Sequence, residues 1–180
     1  MSTFGTTLDS IEARELINKA KGYTEEELAD ELAEARKTIV GLEAIPENNV
    51  VNFARLYKAY KSYVGENHIG ALCSRCWPDF FTEFGTPVCS VLSLLNANGV
   101  SASCESDAYG ALSMFIGSDL TSRSCFFGDP VSMNEKEGTI TFWHCASDEA
   151  GVLMDKYVSD FNANNEYGIT VNAIYQGQYS

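Results

Sequence analysis

The sequence predicts an α/β fold: a doubly wound, mostly parallel sheet with helices on both faces, preceded by a helical N-terminal extension. Three observations carry this expectation. After Gly65, short apolar runs alternate with amphipathic stretches of helical period, and strands separated by helices imply parallel βαβ units. Before Gly65, apolar residues recur three and four positions apart, as on one face of a helix. Apolar residues make up 45% of the 180-residue chain, enough for a sizeable core. Two regions are therefore expected, a helical lead-in over 1–64 and an α/β core over 65–180.

Taken in order, Asp9 or Ser10 is the expected cap of a first helix running to Lys21. Thr24-Glu25-Glu26-Glu27 has the spacing of a capping box, in which Thr24 and Glu27 satisfy each other's free N–H groups. Leu28, Leu32, Ala35 and Ile39 follow on one helical face. Pro46 breaks that pattern and starts a third helix, where Phe53, Leu56, Tyr57, Tyr60 and Val64 form a stripe suited to the core. Beyond Gly65 the expected order is a buried strand at 69–73, a short helix at 78–84 and a helix at 87–97 closed near Gly99. Next come a strand at 100–104, a helix at 108–120 and strands at 124–127 and 139–145. The last elements are a helix at 148–161, with Met154, Tyr157, Val158 and Phe161 on one face, and a strand at 169–175.

A formal net charge of −13 argues against nucleic acid and anionic membranes as partners, because both attract basic surfaces. The first residues are polar and lack the apolar stretch of a secretory signal, and no apolar run is long enough to span a bilayer. The six cysteines, Cys73, Cys76, Cys89, Cys104, Cys125 and Cys145, are accordingly expected to be reduced, mostly buried thiols in the cytoplasm.

In open α/β sheets, ligands bind beyond the carboxyl ends of the strands. The first such end is Cys104-Glu105-Ser106-Asp107, and the second is Gly128-Asp129-Pro130. If their strands are neighbours, Glu105 and Asp129 approach closely. Two close carboxylates repel unless a cation lies between them, and carboxylates suit hard divalent ions such as magnesium, calcium or manganese. The alternative is local: Asp107 caps the helix after it and Asp129 caps a turn before Pro130. Cys73-Ser74-Arg75-Cys76 has C-x-x-C spacing, but Trp77-Pro78 follows at once and no second C-x-x-C completes a zinc site. His68 falls in a polar turn, and His144 lies near a strand's carboxyl end, where a hydrogen-bonded core role competes with ligation. No G-x-G-x-x-G, Walker loop or nucleophile elbow is present, which leaves dinucleotide binding and α/β-hydrolase chemistry without support.

Several segments resemble the L-fucose isomerase-like family. They are Arg75-Cys76-Trp77-Pro78-Asp79, Val91-Leu92-Ser93-Leu94-Leu95-Asn96, the run from Cys104 through Glu105, Asp107 and Gly110 to Leu112, Phe127-Gly128-Asp129 and Trp143-His144-Cys145. The similarity begins weakly near Thr24 and is strong over 71–146. The resemblance implies the family's middle domain and a fragment of a metal-dependent aldose–ketose sugar isomerase that transfers a proton through an enediol. It implies Mn2+ or another divalent metal held by Glu105 and Asp129, which are also the candidate catalytic acid and base. The third family ligand, a histidine, belongs to a C-terminal domain that this chain is expected to lack, and His144 is not that residue by position. Arg75 and Trp77 are the implied lining of the sugar pocket, with structural packing at a strand end as the alternative. A small-molecule sugar and a possible homo-oligomer are the implied partners, and little or no isomerase activity is expected of the chain alone. Two other readings stay open: an inactive binding or assembly domain of the same fold, and a thiol oxidoreductase built on Cys73 and Cys76, which would show a depressed Cys73 pKa.

Overall fold

The computed structural model describes residues 5–39, 41–125, 127, 132–144 and 148–175. They form a mixed α/β fold in two compact units, residues 1–127 and 128–180. Residue 64, where the lead-in was expected to end, lies inside the first unit, because the early helices and the first strands share one apolar core.

In the first unit, α1 (Ala13–Gly22) begins after Glu12, not at Asp9 or Ser10. The Asp9 carboxylate accepts instead from the backbone N–H of its neighbour Ser10 at 2.8 Å. At the second start, Glu27 accepts from the Thr24 backbone N–H at 2.8 Å and from its hydroxyl at 3.1 Å. One half of the capping box thus forms, and the chain enters α2 (Ala29–Thr38) through a tight turn at Glu26–Leu28. Pro46 precedes α3 (Glu47–Glu66) as expected, since its fixed φ suits a helix start and its missing N–H costs nothing there. The stripe of Phe53, Leu56, Tyr57, Tyr60 and Val64 is buried along α3.

The chain then forms β1 (Ala71–Cys73), a wide helical turn at Phe80–Phe84, α4 (Cys89–Ala97), β2 (Ser101–Ser103) and α5 (Ala108–Thr121). β1 and β2 pair in parallel, with Ala71 opposite Ser101, Leu72 opposite Ala102 and Cys73 opposite Ser103. α4 packs against α3 and β2, and α5 lies against both strands. Ile17, Leu56, Tyr57, Phe80, Val88, Val91 and Leu95 are almost wholly removed from water in this core.

The strand expected at 124–127 is not formed at Ser124, Cys125 or Phe127. The free edge of β2 is taken by a side chain. Asn96 accepts from the Ala102 N–H at 3.0 Å and donates to the Ala102 carbonyl at 2.7 Å. The Asn96 amide thus occupies, at that residue, the hydrogen bonds a third strand would make. Ser124 docks nearby through its hydroxyl, which donates to the Asn96 carbonyl at 2.7 Å.

The second unit contains β3 (Ser132–Asn134), β4 (Thr139–His144), α6 (Asp148–Asn164) and β5 (Thr170–Tyr175). β4 and β5 are parallel partners joined through α6, a βαβ unit, and β3 adds to β4 antiparallel. The parallel expectation therefore holds for β1–β2 and β4–β5, while β3 makes the second sheet mixed. The helix expected at 148–161 is present, but Tyr157 and Phe161 on its apolar face are exposed. Among the described residues, no helix is long and apolar enough to cross a membrane.

Candidate functional site

Parallel pairing of β1 and β2 brings the loops after them side by side. The pairing extends one step past both strands: Ser74 N–H donates to the Ser103 carbonyl at 3.0 Å, and Ser106 N–H to the Ser74 carbonyl at 3.4 Å. Tyr60, buried on α3, fixes the first loop through a 2.7 Å hydrogen bond between its hydroxyl and that of Ser74. The second loop is tied down by the buried Ser103, whose hydroxyl donates to the Asp107 carbonyl at 2.7 Å.

Glu105 occupies the loop after β2 with φ +55°, and Ser106 follows at φ +58°. Two successive residues other than glycine in the left-handed region cost of order 1 kcal/mol or more each, and such strain gathers at functional sites. The Glu105 side chain is exposed and forms no ion pair among the described residues. Its Oε1 accepts weakly from the Cys104 thiol at 3.7 Å and the Cys76 thiol at 3.8 Å. Asp107 has the local role foreseen as the alternative: it caps α5 by accepting from the Gly110 N–H at 2.8 Å.

Asp129, the second expected ligand, lies outside the described residues, as do Gly128 and Pro130. Arg75 and Trp77 follow β1 together but do different things. Arg75 pairs with Asp79 at 3.0 Å and lines a cleft of about 470 Å³ with Tyr60, Ser74, Arg14 and Ser106. Trp77 is outside that lining, 62% exposed, with its ring 5.5 Å from that of Phe81. His68 is exposed in a turn with φ +51°.

The described cysteines, Cys73, Cys76, Cys89, Cys104 and Cys125, are free thiols. Burial raises the Cys73 pKa above its ordinary value, with the charge of Asp107 adding to it. A nucleophilic thiol needs the opposite shift, so the oxidoreductase reading on Cys73 and Cys76 loses its distinguishing feature. Sequence spacing did not reveal that Cys76, Cys89 and Cys104 converge: their sulfur atoms all lie within 4.8 Å of one another. Burial, and then the charge of Cys89, push the Cys104 thiol up to about 12.

No family model matches the chain, and no solved structure matches it. Curated relatives do. A sulfoquinovose isomerase of Clostridium sp. (strain MSTE9) is 60% identical over 147 residues, 82% of this chain and 33% of the relative. A sulfoquinovose isomerase of Alkalicoccus urumqiensis is 37% identical over 145 residues, covering 80% of this chain and 32% of the relative. One of Priestia aryabhattai is 35% identical over 147 residues, with 81% and 33% covered. The chain thus spans about a third of the length of the curated relatives it matches, and over some four-fifths of its own length it is similar to a segment of sugar isomerases.

Proposed function

We propose that this chain is a segment of a metal-dependent aldose–ketose isomerase acting on sulfoquinovose, of the L-fucose isomerase-like kind, with Glu105 as its acid–base residue. The observation that carries this is the placement of Glu105. It is an exposed carboxylate without a cationic partner among the described residues, held on strained left-handed backbone just past the carboxyl end of a parallel strand. The name shared by relatives up to 60% identical supplies the reaction and the sugar.

A carboxylate free of lysine or arginine is a suitable donor for a hard divalent ion. By the resemblance alone, Glu105 and Asp129 would be its ligands and manganese the ion. When bound, such an ion stabilises negative charge on the sugar oxygens as a Lewis acid. The chain's own residues do the rest. Glu105 takes the proton from C2 of the open-chain aldose, leaving an enediolate with its charge on O1; the O2 proton passes to O1, and Glu105 returns its proton to C1, so that C2 becomes the ketose carbonyl. The thiols of Cys76 and Cys104 hold its Oε1 from one side, which orients the carboxylate. Arg75, on the neighbouring loop, offers a guanidinium to the anionic sulfo group, and the exposed face of Trp77 suits the apolar side of a sugar ring.

Titration of the chain with Mn2+, followed by the electron paramagnetic resonance of the free ion, tests this. Weak binding lost in both Glu105→Gln and Asp129→Asn is expected. Turnover of sulfoquinovose by the chain alone should be slow or absent, because misplacement by about 1 Å costs on the order of a hundredfold. Robust turnover that Glu105→Gln abolishes would show that the site is complete in this chain. Manganese binding unchanged in both variants, or no binding at all, would favour an inactive binding or assembly domain.

A further inference from the structure

We propose that Cys76, Cys89 and Cys104 form a site for a thiophilic d10 cation such as zinc, whose three sulfur ligands are not ligands of the hard-ion site of the isomerase. Three separate elements deliver these sulfurs: the loop after β1, the first turn of α4 and the residue just beyond β2. All three sulfur atoms already lie within 4.8 Å of one another, without a disulfide between them. Zinc–sulfur bonds of about 2.3 Å in a tetrahedron require sulfur–sulfur separations of roughly 3.8 Å, so closure moves a sulfur by no more than about 1 Å. Cys89 is exposed, so a change of its side-chain rotamer can supply that movement.

The fourth position also has a candidate. Glu105 Oε1 is 3.8 Å from the Cys76 sulfur and 3.7 Å from the Cys104 sulfur. In a tetrahedral S3O site with bond lengths of about 2.3 and 2.1 Å, the sulfur–oxygen edge is roughly 3.6 Å. The carboxylate therefore needs little adjustment relative to two of the three thiols. Soft thiolates select zinc or copper(I) over magnesium, calcium or manganese. Binding converts the thiols to thiolates and releases their protons, so occupancy rises with pH.

The test is titration of the fully reduced, full-length chain with Co2+ under anaerobic conditions, followed by competition with Zn2+. Intense sulfur-to-cobalt charge-transfer absorption that saturates at one equivalent, and is then displaced by zinc, is expected. Loss of a ligand in Cys104→Ser or Cys89→Ser should weaken binding more than about a hundredfold, beyond the usual cost of an outer-shell change. Cys73→Ser removes the other cysteine of the C-x-x-C spacing and should leave binding within a few-fold of the parent. Glu105→Gln should keep the charge-transfer band while abolishing manganese binding, so failure of this proposal and failure of the isomerase reading give different results. Absence of the band, parental affinity in both Cys104→Ser and Cys89→Ser, or equal weakening by Cys73→Ser would overturn the proposal. Circular dichroism monitors folding, and if Cys104→Ser does not fold, the exposed Cys89→Ser decides the outcome.

Discussion

Replacing Gly110 by alanine should destabilise the chain, against the usual preference of helices for alanine. Gly110 lies in the first turn of α5, where alanine ordinarily gains about 1 kcal/mol over glycine in a helix interior. Here a Cβ would stand 2.5 Å from Phe127 Cε2, 2.6 Å from Asp107 Oδ2 and 2.9 Å from Asp107 Cγ. The carboxylate it strikes is the one that caps α5 through the Gly110 N–H. Losing that cap costs about 1 kcal/mol, and overpacking against an aromatic ring costs roughly another 1–3 kcal/mol. The balance is a net loss of about 1–3 kcal/mol against the propensity gain. Gly65, in the last turn of α3 with nothing among the described residues within 4 Å of its Cβ position, is the control, and Gly65→Ala should be neutral or slightly stabilising. Urea denaturation followed by tryptophan fluorescence measures both. A double-mutant cycle adds a second check: Asp107→Ala should cost about 1 kcal/mol in the parent and little in Gly110→Ala, where the cap is already broken. If Gly110→Ala is as stable as the parent, or if the two substitutions add fully, the described packing of the loop that carries Glu105 is wrong.

Two further outcomes follow from the first unit. The buried Thr86 hydroxyl has no hydrogen-bond partner among the described residues, so Thr86→Val should be neutral or stabilising by about 1 kcal/mol in the same denaturation assay, and a clear loss would reveal a partner. Burial raises the Glu34 pKa, but hydrogen bonds from Tyr57 and Lys61 outweigh it and hold the carboxyl below its ordinary 4.5. A depressed folded-state pKa stabilises above the unfolded value, so this contribution should disappear as pH falls below 4.5. Glu34→Gln should therefore flatten the fall in denaturation midpoint on acidification from about pH 6 to about pH 3, and an unchanged slope would contradict the assignment.

The helices were the most legible part of the sequence, because period and punctuation agreed. Pro46 and the stripe from Phe53 to Val64 specify α3 twice over, once by backbone and once by burial. The strands were harder. β3 presents exposed Ser132, Met133 and Asn134, with no apolar alternation to read. It exists because of pairing with β4 across a turn in which Asn134 accepts from the N–H groups of Lys136 and Glu137. The strand expected at 124–127 failed for the converse reason: its apolar character was visible, but the claim of Asn96 on the β2 edge was not. At the site, the position of Glu105 past a strand end was readable from the change of pattern at Cys104. Its left-handed backbone was not, since glutamate has no preference for that region. The three converging thiols were hidden by C-x-x-C spacing, which draws attention to Cys73 and Cys76, whereas the fold brings Cys76 to Cys89 and Cys104. The apolar face of α6 shows the opposite limit, a helical stripe that was legible yet leaves Tyr157 and Phe161 exposed.

Isomerisation by a chimaera is the decisive measurement. The 147 residues of this chain that match the Clostridium relative would replace the corresponding third of that protein, and conversion of sulfoquinovose would be followed by nuclear magnetic resonance. If the segment supplies the acid–base carboxylate of a sugar isomerase, the chimaera turns over the sugar, and Glu105→Gln within it lowers kcat by on the order of a hundredfold or more with little change in fold. A folded chimaera without activity, or one whose rate is indifferent to Glu105→Gln, would contradict that role.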